Sequence, residues 1–136
     1  MKKSESFIED RIRWRSQNFG LPTMRTCFWD SIIKKPDIDL QSELGKPVLV
    51  SLGNGTNFIV VCTFGVIINY NDKKSVVKYT DMKGIYDVPM EVGEEKADLT
   101  HLVIRLNTGE EKIVCPEPYK PAFAIWSILI MLLKIS

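Results

Sequence analysis

The sequence contains one histidine and three cysteines in 136 residues, and that scarcity removes most metal and nucleophile chemistry at the outset. A structural zinc site takes four Cys or His ligands at close spacing. Cys27, Cys62 and Cys115 form no Cys-x-x-Cys pair and His101 stands alone, so no metal is expected. The chain also lacks a Gly-x-Ser-x-Gly elbow, a glycine-rich phosphate loop and a histidine pair. It is therefore read as a non-enzyme with no catalytic residues and no cofactor. An excess of either charge is missing too. Eighteen Lys and Arg face seventeen Asp and Glu, and a net charge of +1 gives no global pull toward nucleic acid or membrane. Nor are the aromatics Phe58, Phe64 and Tyr70 interleaved with basic residues as a base-stacking surface requires, so no nucleic-acid partner is expected.

No hydrophobic run reaches membrane length. The longest, Ala122–Leu133, has twelve residues before Lys134, where a span takes about 20. It reads instead as a helix buried in the core, with Pro121 in its first turn. Met-Lys-Lys opens like a signal peptide, but Ser-Glu-Ser-Phe-Ile-Glu-Asp follows and no apolar segment does. With an odd number of thiols, the expected setting is reducing and cytoplasmic. Cys62 and Cys115 lie in apolar strand patterns and are expected to be reduced, buried hydrophobes.

What the sequence does have is β-branched and aromatic residues, densest from Asn57 to Tyr70. That run is too long for one ordinary strand of roughly 5–6 residues. Gly65 interrupts it where a strand glycine signals a bend, so Asn57–Thr63 and Val66–Tyr70 are expected as one bent strand or two paired ones. Apolar residues fall on both faces, so both sides need cover; the C-terminal run is the expected cover for the second.

Around this centre the chain divides in two, with a single domain expected over 1–136. Residues 1–45 read as a helical N-terminal extension. Ser4–Gln17 is expected to be helical, with Ser6 and Glu9 at capping-box spacing. Ile8 with Ile12, and Phe7 with Trp14, give that helix an apolar side. Residues 23–35 fit helix or strand, and 37–44 suggest a short helix stopped by Gly45. From Pro47 the period becomes two. Strands are expected at Pro47–Leu52, Ser75–Tyr79, Met82–Val92, Leu99–Leu106 and Glu111–Cys115, with turns at 53–56, 71–74 and 107–110. His101 on an alternating strand reads as structural. The fold class is thus α+β: a mainly antiparallel sheet or half-barrel, N-terminal helices and a buried apolar C-terminal helix.

The paired runs Phe58–Cys62 and Val66–Tyr70, then Lys78-Tyr79-Thr80-Asp81-Met82-Lys83-Gly84-Ile85, then the hairpin at Asn107-Thr108-Gly109-Glu110 and the final helix, resemble the bacterial pleckstrin-homology-like domains over residues 47–135. The resemblance implies an open β core closed by the last helix. Lipid headgroup binding in that family uses Lys and Arg in and around the first hairpin. Here the corresponding turn, Gly53-Asn54-Gly55-Thr56, has no basic residue, and only Lys46 lies near.

Charge is uneven along the chain. Residues 1–35 hold eight Lys and Arg against four acids, and residues 81–98 hold six acids against two lysines. Asp87, Glu91, Glu94, Glu95 and Asp98 lack the alternating spacing of a calcium loop. They are the expected partner-binding residues, on a loop suited to steering a basic partner such as a toxin or nuclease. The function expected is a non-catalytic protein-binding module, of the kind of a bacterial immunity protein that neutralises a cognate toxin by occlusion. The alternative is a peripheral lipid-binding module that touches the membrane through the basic first helix and the apolar C-terminus.

Overall fold

A computed structural model describes residues 4–32, 35–40, 42–87 and 101–136. The architecture is α+β, as expected, with two antiparallel sheets between an N-terminal and a C-terminal helix. The first sheet has the order β1 (Thr26–Phe28), β2 (Pro47–Leu52), β3 (Phe58–Cys62), β4 (Gly65–Tyr70) and β5 (Lys73–Lys78). The second is β6 (Met82–Asp87), β7 (Leu102–Leu106) and β8 (Glu111–Val114). Setting β1 aside, the described residues run as four meandering strands, then three, then a helix.

Asn57–Tyr70 resolves into two paired strands, with Phe58 opposite Asn69 and Val61 opposite Val66. Gly65 is required by a close approach: a Cβ there would lie 2.5 Å from the Val77 carbonyl oxygen and 2.6 Å from Leu44 Cδ2. The β4–β5 turn places Asn71 and Asp72 at φ +50° and +66°. Those left-handed pairs suit the twist of a two-residue hairpin. On β7, Leu102 and Ile104 point into the core and Arg105 points out, in the expected alternation.

The expected single cover for the central run is corrected. One face of the first sheet, with Leu49, Ile59, Val61, Val66 and Ile68, packs in the main core with α1 (Glu5–Asn18) and α2 (Lys120–Ile135). The opposite face, with Val50, Phe58, Val60, Cys62 and Ile67, is covered by Leu44, Cys27, Trp29, Ile32 and Ile38. The ambiguous stretch around residue 30 is thus β1 followed by a 3-10 turn at Trp29–Ser31. The helix expected over 37–44 reduces to a 3-10 turn at Ser42–Leu44. Apolar side chains there answer the sheet's need for cover without any helical period.

The cap of α1 is also corrected. Ser4, not Ser6, caps the helix, its Oγ accepting the Phe7 amide at 3.2 Å. Only Ile8, Ile12 and Ser16 are buried, and Phe7 and Trp14 form a second, exposed stripe. The helix is anchored to the sheet through Glu9, which accepts from Arg13 Nε at 3.0 Å and Lys46 Nζ at 3.1 Å. Burial alone would raise the Glu9 pKa; the bonds from Lys46 and Arg13 outweigh it and hold the carboxyl below its ordinary range.

Cys62 and Cys115 are buried and unbonded. Burial pushes their thiols up to about 12 and about 11 respectively. Because the thiolate is the nucleophile, burial that disfavours it makes both thiols poorly reactive. A thiol reagent on native protein is expected to modify the half-buried Cys27 first and to reach the other two only on unfolding. Peptide mapping after timed labelling checks the order; early labelling of Cys62 would refute it.

Candidate functional site

The described part of the expected acidic site is limited to Asp87, whose backbone pairs with Leu102 at the end of β6. Glu91, Glu94, Glu95 and Asp98 lie outside the described residues. Among the described residues no group of three or more His, Cys, Asp or Glu could hold a metal. His101 precedes β7 rather than lying within it.

A different site assembles from two loops far apart in sequence. Residues 19–25 link α1 to β1, and residues 115–119 link β8 to α2. They are tied by a polar cluster built on the first cross-strand pair, Thr26 opposite Ser51. Both residues are fully buried, and their hydroxyls lie 2.7 Å apart. Glu117 closes the cluster. Its carboxylate accepts from Thr26 Oγ1 at 2.7 Å and from Thr23 Oγ1. Its amide donates to Ser51 Oγ at 2.8 Å. Buried hydroxyls and a carboxylate are costly unless satisfied, and here each satisfies another. Arg25 fixes the remaining side, with Nε donating to the Leu52 carbonyl at 3.1 Å and Nη2 to Asn54 Oδ1 at 3.4 Å.

The outcome is a rigid base for exposed apolar tips. Met24 is 98% exposed between the bonded Thr23 and Thr26. Tyr119 is 52% exposed and held at φ +74°, where its carbonyl accepts the first amide bond of α2 from Phe123 at 3.1 Å. Phe19, also exposed, leads into the first loop.

Phe19 and Phe123 continue this surface into a groove of about 380 Å³ between the end of α1 and the outer side of α2. α2 is buried against the core as expected, and the burial is one-sided. Ala122, Ala124, Ile125, Ile128, Leu129 and Leu132 face the core with no exposure, whereas Phe123, Trp126 and Ile130 face the groove half-buried. Phe123 and Trp126 meet edge to face at 5.5 Å, and the Trp126 indole donates to the Ile85 carbonyl at 3.1 Å. The groove's polar groups are Arg15, Ser127 and Lys134. Arg15 Nη1 donates to Ser127 Oγ at 3.2 Å, and Arg15 Nε is buried without a partner.

The second cavity, about 350 Å³, lies between Asp37–Asp39 and β4–β5. Lys74, the one cation lining it, donates to the Asp37 carbonyl at 2.7 Å, and two acidic residues, Asp37 and Asp39, share the lining. The edge of β5 carries Lys73, Lys74 and Lys78, which oppose strand addition by another chain. The single-sequence signal for the loop site was weak. Gly20, Pro22 and the prolines around residue 117 mark loops, but nothing local says that 23 and 117 meet. No family model matches the chain, and no curated protein matches it.

Proposed function

We propose that the chain is a non-catalytic protein-binding module that docks through the paired loops 19–25 and 115–119. The observation that carries the reading is Met24, almost wholly exposed on a loop whose backbone is fixed on both sides by the Glu117 and Arg25 contacts. An exposed methionine gains nothing for the free protein. On a loop tied through Thr23 and Thr26 to Glu117, in the loop that bears Tyr119, it presents an apolar anchor whose backbone is already ordered before binding. Loops on a rigid scaffold are where binding residues concentrate.

The finer proposal is occlusion of a basic toxin or nuclease, as an immunity protein does, in a cytoplasmic setting. The acidic run that includes Asp87, Glu91, Glu94, Glu95 and Asp98 supports it as a source of steering charge. The two-sheet order closed by α2 supports a bacterial pleckstrin-homology-like domain over 47–135. No described helix is long and apolar enough to cross a membrane.

The test places a photo-crosslinking amino acid at position 24 and at position 119 in the producing cell, identifies the captured protein, and measures its affinity for purified chain. Met24→Glu with Tyr119→Glu is expected to weaken that affinity about 100-fold, the scale of two hot-spot residues, with an unchanged melting temperature. Equal affinity of the double variant overturns the reading. Binding of the wild-type chain to anionic vesicles, lost in the same variant, would replace it with the lipid-binding alternative.

A further inference from the structure

The groove between α1 and α2 is apolar along its walls and cationic in every charged group that lines it. Phe19, Phe123, Trp126 and Ile130 supply the apolar surface, and Arg15 and Lys134 supply the charge, with no carboxylate among the lining residues. Neither cation enters an ion pair among the described residues. Arg15 spends one guanidinium nitrogen on Ser127 Oγ and keeps a buried Nε–H with no acceptor. The Arg15 charge is not compensated by any carboxylate among the described residues, so an anion brought to the groove gains a charge-assisted bond from it. A guanidinium fork matches a carboxylate in plane and spacing.

The volume, about 380 Å³, falls in the lower part of the range for small-molecule sites, roughly 300–1,000 Å³. Such sites are mostly apolar with a few polar groups that set orientation, which describes this one. We propose that the groove binds a single-chain anionic amphiphile of the fatty-acid class, its carboxylate on Arg15 and Ser127 and its alkyl chain running from there along Trp126, Phe123 and Phe19. Lys134 adds charge at the other end of the α2 stripe. A second copy of the chain fits poorly, since it would bring Arg15 and Lys134 toward their own kind. This site is separate from the docking proposed for Met24 and Tyr119 and stands on different observations.

The experiment uses the full chain and three ten-carbon probes that differ only in the head: decanoate, decan-1-ol and decyltrimethylammonium, each below its aggregation limit. Binding is followed by calorimetry and by amide and indole resonances, with the Trp126 indole as reporter. Decanoate is expected to bind about tenfold or more tightly than either control, the worth of one charge-assisted pair. Its shifts should cluster at Arg15, Phe19, Phe123 and Trp126. Arg15→Gln should cut the preference for decanoate several-fold while changing decan-1-ol binding far less, a pattern that loss of structure cannot produce. Equal affinity for all three probes on the wild-type chain overturns the proposal without recourse to the variant. So do shifts away from the groove, or binding only to vesicles of anionic phospholipid with none to free decanoate.

Discussion

Leu129→Ala is expected to destabilise the fold by about 2–5 kcal/mol, while Ile130→Ala, the next residue, should cost less than about 1 kcal/mol. The contrast follows from the two sides of α2. Leu129 has no exposed surface and belongs to the core that includes Ile59, Val61, Ile68 and Ile104. Truncating it removes a buried side chain and leaves a cavity that strands on one side and a helix on the other cannot collapse into. Ile130 lines the groove and keeps part of its side chain in water, so its truncation loses part of one side chain's transfer energy and opens no enclosed space. Denaturant unfolding of both variants at fixed slope measures the difference. Equal losses would mean that α2 is buried all round and that the groove is core. Ile130→Ala is also a useful functional variant, because it weakens the groove's apolar wall while the fold persists.

That helix shows how far the residues themselves lead. Its existence, type and position were readable from an apolar run too short for a membrane and opened by Pro121. Its two sides were not. Phe123, Trp126, Ile130 and Leu133 are as apolar as Ile125, Ile128, Leu129 and Leu132, so composition cannot say which side meets the sheet. The clues are small ones: Ala122 and Ala124 lie on the fully buried side, and Ser127 and Lys134 interrupt only the outer side. The strands were readable for the opposite reason. Period-two alternation and turns at 53–56, 71–74 and 107–110 fix register locally, and Gly65 divides the central run.

The stretch from Thr26 to Leu44 was the least legible. It covers a sheet face with Trp29, Ile32, Ile38 and Leu44 from a three-residue strand and 3-10 turns. Elements that short carry no period. The loop site was hidden for a related reason. Its scaffold joins Thr26 to Glu117 across ninety-one residues of sequence, and a lone Met24 between polar neighbours is no pattern at all. The acidic run from Asp87 to Asp98 stands out in the sequence because the charge of a loop is visible without a fold, whereas its tertiary partners are not.

Gly53→Ala is expected to cost more than about 3 kcal/mol, beyond the usual range for an added methyl group. An added Cβ would lie 2.1 Å from the Cys115 carbonyl oxygen, 3.0 Å from its carbon and 3.2 Å from the Pro116 oxygen. These are backbone atoms, and no rotamer change relieves them. The backbone on either side is pinned. Gly53 donates to the Asn57 carbonyl and Leu52 to the Arg25 carbonyl, both at 2.8 Å. Two residues earlier, Ser51 Oγ holds the Glu117 amide. The contact is therefore the corner where the end of β2 meets the exit of β8, and with it the first sheet meets the second. Gly55→Ala serves as control. It sits at φ +62° with open space around it, so only the left-handed backbone penalty of roughly 1–2 kcal/mol applies. Thermal and denaturant unfolding of the two variants should separate them clearly, and a Gly53→Ala protein as stable as Gly55→Ala would mean that the corner is loose. The same clash has a functional signature. Relief can come only by pushing residues 115–117 away from Ser51, which breaks the hydroxyl cluster that ties Thr23 to Glu117 and lets the loops bearing Met24 and Tyr119 separate. In whatever fraction of Gly53→Ala stays folded in the cold, the resonances of Met24 and Tyr119 should shift, and docking to the captured partner should weaken with them.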